Sequence, residues 1–259
     1  MFTDTHCHIH ASDYSLNQNE VIKQARDAGV DRLICVGTSA DDSRVAADFV
    51  AERENTWFSV GHHPHDAETF DDDDRQLMQE LIARDKVVAI GECGFDYWYL
   101  NSSKASQEAC LRFQLELGRQ NNLPMIFHIR GSKENPEDAF VDLWRVLDDF
   151  PGTVGVVHSF TASQKVLADV LSRGFMVGVN GIMTFTKDEV QLAMLDALPL
   201  DKMVLETDAP FLTPHPFRGS INEPKHLVEV AKFIAKRRGV SLQSLAATTS
   251  QTVNKIFNL

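Results

Sequence analysis

Six side chains able to hold a metal ion are spread along this chain, and each falls where a short apolar run ends: His6, His8, Glu92, His128, His158 and Asp208. Donors so far apart in sequence make one site only if the fold gathers its strand ends together. A closed parallel barrel does this and carries its active site at the C-terminal rim. The apolar runs end near Thr5, Val36, Val60, Ile90, Phe127, Val157, Val179 and Leu205. Amphipathic helical patterns lie between them. Val21, Ile22, Ala25 and Ala28 line one helix face that Gly29 terminates. Ser163 caps another, with face Val166, Leu167, Val170 and Leu171 and a stop at Gly174. Strands alternating with helices pair in parallel through crossovers. Eight of them predict a (β/α)8 TIM-type barrel with a metal site at its C-terminal rim. A doubly wound open sheet is the structural alternative. Two helices, 225–238 and 241–257, close the chain.

The 259 residues suit one α/β domain over 1–259, without internal repeat or linker. The formal net charge of -12 argues against general adhesion to polyanions. The run Asp71–Asp74 reads as the acidic first turn of a solvated helix, and the basic cluster Lys232–Arg238 as a helix face with a basic C-terminal turn. The four cysteines show no CxxC spacing, which fits a reduced cytoplasm better than a disulfide framework. The N-terminal segment lacks the basic and apolar regions of a signal peptide, and no apolar run reaches the roughly 18 residues of a membrane span. A cytoplasmic protein without membrane contact is expected. No protein partner is implied, and the chain is expected to act as a monomer.

The donors themselves point to hydrolysis. Alternate residues of a strand share a face, so His6 and His8 point together, and Asp4 on that face is expected to orient a ligand. Glu92, His128, His158 and Asp208 follow their apolar runs in VVAIGEC, PMIFHIR, GVVHSF and MVLETDAP. Neutral imidazoles and carboxylates suit divalent ions such as zinc, manganese or magnesium. Two ions are expected: one on His6, His8 and Asp208, one on His128 and His158, with the Glu92 carboxylate bridging both. Two ions about 3.5–4 Å apart acidify a shared water and clamp attacking and leaving oxygens. Asp208 also serves as a general base in this reading.

In these segments the chain resembles the TatD family of metal-dependent deoxyribonucleases, amidohydrolase-like barrels. The similarity runs through DTHCH at 4–8, GHHP at 61–64, IGECGFDY at 90–97, FHIR at 127–130, HSFTAS at 158–163, LETDAP at 205–210 and FRGSINEP at 217–224. The resemblance implies hydrolysis of DNA phosphodiester bonds at two divalent ions, with exonuclease activity in some members, and it implies that His63 contacts the scissile phosphate or the attacking water. The chain departs from the family pattern at His10 and Gly131, where the family usually carries acidic residues.

Arg130 and Arg218 are candidate phosphate contacts, because guanidinium binds phosphate oxygens bidentately. Glu206 shares a strand face with Asp208. Tyr97 and Trp98 follow the Glu92 strand, and either is a candidate to stack on a base. His215 and His226 read as surface or loop residues, and 130–137 as a loop over the pocket. The absence of a basic stripe favours short single-stranded or end segments of DNA over a long duplex. The same chemistry also suits a metal-dependent carboxylic ester or amide hydrolase, such as an aminoacyl-ester deacylase. A metal-stabilised scaffold without activity is the third reading.

Overall fold

The computed structural model describes residues 1–259. Eight parallel strands form a single sheet in sequence order. They are β1 (Phe2–Cys7), β2 (Val30–Val36), β3 (Thr56–Val60), β4 (Val87–Asp96), β5 (Met125–Arg130), β6 (Gly155–Val157), β7 (Met176–Val179) and β8 (Met203–Leu205). Helices α1 (Gln18–Ala28), α2 (Ala40–Ala51), α3 (Asp72–Leu81), α4 (Lys104–Asn121), α5 (Asp138–Leu147), α6 (Gln164–Ser172) and α7 (Glu189–Ala197) alternate with them, and α8 (Leu227–Arg238) and α9 (Leu242–Phe257) follow β8. This is the (β/α)8 TIM-type order expected from the sequence, and the open doubly wound order is excluded. No helix is long and apolar enough to cross a membrane.

The helices start where their caps dictate. Asn17, Ser39, Asp71, Ser103, Ser163, Asp188 and Ser241 each accept a backbone N–H of the first turn. The acidic run is indeed the first turn of α3, with Asp71 as its cap. Most of the basic cluster of α8 is engaged: Lys232 pairs with Glu229, Arg237 with Asp196, and Arg238 donates to the carbonyls of Leu195 and Leu198, while Lys236 is exposed.

The Cα packing divides the chain into two compact units. One comprises Met1–Cys35, Glu54–Thr56 and Ser159–Leu259, and so carries β1, β7, β8 and nearly all of β2. In it the end of β1 pairs with the chain just past β8. The Asp208 N–H donates to the His6 carbonyl at 2.8 Å, and the His8 N–H to the Ala209 carbonyl at 2.7 Å. Asp4 braces this seam. Its Oδ1 accepts the Thr207 N–H at 2.9 Å, and its Oδ2 lies 2.5 Å from the Thr207 hydroxyl. It reaches the backbone N–H of His6 rather than the ring, so it orients the strand and not the ligand ring directly.

The second unit comprises Val36–Arg53 and Trp57–His158. Here β4 and β5 extend further than the sequence suggested. Their pairing continues past the donors to Asp96 opposite Arg130, so Glu92 and His128 stand within strands instead of after them. The register shifts between Ile90 and Cys93. Gly91 sits there at φ 138, and a Cβ would run into the Ile126 carbonyl. Only glycine allows this kink, which presents Glu92. Phe58, Phe95, Phe127, Ile90 and Met125 are fully buried around it.

The seam is testable through Asp4, whose burial raises its pKa to about 8 against the pull of the Thr207 hydrogen bonds. A largely protonated Asp4 is mimicked by asparagine. Asp4→Ala strips the Thr207 amide of its buried acceptor and should cost roughly 1–3 kcal/mol, whereas Asp4→Asn should cost clearly less. Urea unfolding of the metal-free protein measures both. Equal losses would remove Asp4 as the brace.

Candidate metal centre

The seam places the first donor cluster. His6 and His8 point the same way from the end of β1, and their Nε2 atoms lie 3.1 Å apart. Asp208 Oδ1 is 3.7 Å from His6 Nε2 and 3.4 Å from His8 Nε2. Ligands about 2.0 Å from a tetrahedral ion are separated by roughly 3.3 Å, so these three edges suit one cation. Asp208 is held at φ 58, a left-handed conformation that aspartate tolerates better than most residues. Its side chain keeps 15% exposure, while that of His6 keeps 1%. Glu206 is buried nearby, and its Oε1 accepts the Ser159 N–H at 2.6 Å and the Asn180 amide at 3.4 Å.

The second cluster centres on Glu92. Its Oε1 lies 2.7 Å from His128 Nδ1, 3.3 Å from His158 Nε2 and 3.6 Å from His63 Nε2. His63, Glu92 and His128 offer donor atoms that all lie within 4.8 Å of one another. Distance alone would make His63 a ligand, but its hydrogen bonding argues otherwise. Burial, reinforced by the charge of His128, pulls the His63 pKa down to about 4, so the ring is neutral. Its Nδ1 accepts the His65 N–H at 3.1 Å, which assigns the one ring proton to Nε2. That nitrogen faces the cluster as a donor, the role expected of a substrate contact.

Asp96 was missed at the sequence level, although it sits in the GECGFD segment. Its Oδ2 lies 2.9 Å from His128 Nε2 and 3.0 Å from His65 Nε2. Its Oδ1 accepts the backbone N–H groups of Trp98 and Tyr99, both at 3.0 Å. Burial favours the neutral acid, yet the hydrogen bonds from His128 and Tyr99 outweigh it and hold the carboxyl far below its usual range. Burial likewise opposes charge on His128, but Asp96 and Glu92 together raise its pKa. With Nε2 donating to Asp96, His128 turns Nδ1 toward Glu92 as the nitrogen able to hold a metal ion. Carboxylate partners of this kind fix the tautomer of metal-binding histidines. The signal in the sequence was the strand period: Glu92, Gly94 and Asp96 alternate along β4.

The other candidates stand outside both clusters. Arg130 ends β5 with its guanidinium over the Trp98 and Tyr99 rings. Arg218 lies on the loop after β8, donates to the Thr213 carbonyl at 2.9 Å, and stacks over Phe185. Tyr97 cannot stack on a ligand: it is buried, and its hydroxyl donates to Asp142 at 2.9 Å. His226 is no surface residue either. It is buried, stacked on Phe217 and 3.1 Å from Asn222 Oδ1, and it organises the loop after β8. His10 is buried as well, and Gly131 is crowded by the backbone of Pro136, so no acidic side chain fits there without moving the loop.

The donor set fits divalent cations, and comparison with known proteins agrees. The family model described as TatD related DNase matches residues 3–258. The chain is 33% identical to the uncharacterized metal-dependent hydrolase YabD of Bacillus subtilis, covering 100% of both chains. It is 34% identical to the 3'-5' ssDNA/RNA exonuclease TatD of Cronobacter sakazakii, over 98% of this chain and 97% of that one. The crystal structure of YJJV, a TatD homolog from Escherichia coli, superposes with a TM-score of 0.89 at 27% identity, covering 100% and 98% of the two chains.

Asp96→Asn separates tautomer control from folding. Asparagine still accepts the Trp98 and Tyr99 N–H groups through Oδ1, but its amide cannot accept the Nε2 proton of His128. The proton then moves to Nδ1, where it blocks ligation. Metal affinity should fall about 10–100-fold in titrations of chelator-treated protein, with circular dichroism showing that the metal-free variant is folded at the titration temperature. Undiminished affinity would remove Asp96 from control of His128.

Proposed function

Because the chain belongs to the family of TatD related DNases, matched over residues 3–258, we propose that it is a metal-dependent hydrolase cleaving DNA phosphodiester bonds, acting as an exonuclease on single strands or ends. The observation that carries this reading is the grouping of imidazoles and carboxylates at strand ends, His6 and His8 with Asp208, and His128 and His158 around Glu92. Relatives named as 3'-5' ssDNA/RNA exonuclease and metal-dependent hydrolase support it.

In this reading His6, His8 and Asp208 would hold one divalent ion, and Glu92, His128 and His158 would hold a second, Glu92 being the carboxylate expected to serve both. Zinc and manganese suit so many imidazoles better than magnesium does. Bound ions supply an acidified water and positive charge for the phosphate oxygens. Asp208 has the most accessible side chain of the first cluster and would take the proton of the attacking water. The His63 Nε2–H donates to a phosphate oxygen, held in that tautomer by the His65 amide. Asp96 keeps His128 turned to its ligating edge. Arg218 and Arg130 contact phosphates away from the ions, and neither guanidinium forms an ion pair that would compete. Four buried free cysteines support a reduced, cytoplasmic setting. Action as a monomer completes the reading, and light scattering in solution tests it.

Elemental analysis after saturation should find two ions per chain, and Glu92→Gln should weaken both binding events. A single tight site with no second event would sink the two-ion arrangement.

Asp208→Asn should lower turnover of end-labelled single-stranded oligonucleotides at least about 100-fold, the scale of lost general acid–base help and ligation. Arg218→Ala should raise KM with metal content unchanged, and lysine there should restore only part of the affinity, having no planar fork. Normal turnover in folded Asp208→Asn would exclude it from the mechanism. Efficient cleavage of carboxylic esters without cleavage of any oligonucleotide would replace the nuclease reading with the ester hydrolase one.

A further inference from the structure

Beside the Glu92 cluster the chain exposes two aromatic rings in a protein that is otherwise acidic. Trp98 and Tyr99 are 39% and 56% exposed. They are not a loose surface pair. Asp96 Oδ1 accepts both of their backbone N–H groups, which fixes the turn that follows β4. The Tyr97 N–H donates to the Arg130 carbonyl at 2.8 Å, tying that turn to the end of β5. The Arg130 guanidinium carbon then lies 4.8 Å from the Trp98 ring centroid and 5.0 Å from that of Tyr99. The Lys133 ammonium lies 5.3 Å from the Trp98 ring. Neither cation is engaged by a carboxylate within ion-pairing distance, although the net charge is -12. Lys104, by contrast, pairs with Asp138 at 3.7 Å.

Exposed aromatic faces beside unpaired cations match the two halves of a nucleotide. A base offers a π-face for stacking, and its phosphate offers charge to guanidinium and ammonium. The connection to the chemistry runs through short covalent and hydrogen-bonded links. Arg130 is two residues beyond His128 on β5, and Asp96 touches His128 with one oxygen while holding Trp98 and Tyr99 with the other. Tyr99 also meets His65 edge-on at 5.3 Å.

We propose that Trp98, Tyr99, Arg130 and Lys133 form a subsite for one unstacked nucleotide of a single-stranded nucleic acid, its base on the aromatic pair and its phosphate on the two cations. The subsite rests on the nuclease reading and gives it a strand preference. Bases inside a duplex cannot present their faces to Trp98 or Tyr99, whereas those of a single strand can.

The test pairs binding with turnover. Fluorescence anisotropy of a labelled oligothymidylate, with metal-free protein, reads the subsite without cleavage. Trp98→Ala and Tyr99→Ala should each weaken binding roughly 10-fold, the scale of one base–aromatic stack, while Trp98→Phe retains most of the affinity. In the metal-loaded enzyme Trp98→Ala should raise KM for single strands with kcat and metal content nearly unchanged, and leave KM for a blunt duplex unmoved. Unchanged affinity and KM in both alanine variants would overturn the subsite even if the wild-type protein is an active nuclease. A wild-type protein that cleaves no oligonucleotide would overturn the nuclease reading instead. The anisotropy series then still decides whether the aromatic pair binds single strands: loss on substitution supports the subsite, and no binding by the wild type overturns it.

Discussion

The hydrogen bonds between the end of β1 and the chain beyond β8 are the constraint on which the first cluster depends. They join residues about two hundred positions apart, His6 to Asp208 and His8 to Ala209. Without them the two imidazoles and the Asp208 carboxylate would have no reason to meet. Asp4 reinforces the joint from inside, taking the Thr207 amide on one oxygen and facing its hydroxyl with the other. A buried carboxyl is costly unless its partners are in place, so the site and its brace form together. The left-handed conformation of Asp208 belongs to the same turn, since the Phe211 N–H closes onto the Asp208 carbonyl.

Asp96 does the corresponding work in the second cluster. One oxygen faces His128 and His65, and the other caps the turn bearing Trp98 and Tyr99. Ligand orientation and the shape of the neighbouring surface therefore share one carboxylate. The kink at Gly91 supplies the other half of this arrangement by breaking the strand register just before Glu92. This irregularity falls where a carboxylate must be re-aimed, as bulges next to active sites commonly do.

An acidic chain that cleaves a polyanion needs local positive charge. Three of the basic residues of α8 are engaged within the protein, Lys232 by Glu229, Arg237 by Asp196 and Arg238 by two carbonyls. Arg130, Lys133 and Arg218 are of a different kind: each is exposed or half-buried, and each lies against an aromatic ring instead of a carboxylate. Cations held this way stay available to phosphate while the rings keep them in place. In the proposed function so few contacts would suit a few nucleotides better than a long duplex.

The order of strands and helices was legible in the sequence because it follows from local pattern: apolar runs, capping residues and glycine stops act within a few residues of themselves. The same is true of the pairing of His6 with His8, which strand alternation alone puts on one face. The family and the donor types were legible too, through residue motifs that survive in order along the chain. What only the tertiary structure decided depends on partners distant in sequence. The length of β4 follows from its pairing with β5. The ring proton of His63 is assigned by the His65 amide, and the edge that His128 turns to Glu92 by Asp96, whose place two strand periods after Glu92 says nothing of its partner. Tyr97 and Trp98 are adjacent and chemically alike, yet one is buried on Asp142 and the other exposed beneath Arg130. A turn sends neighbouring side chains in different directions, and only the elements packed around it determine which side is core and which is solvent.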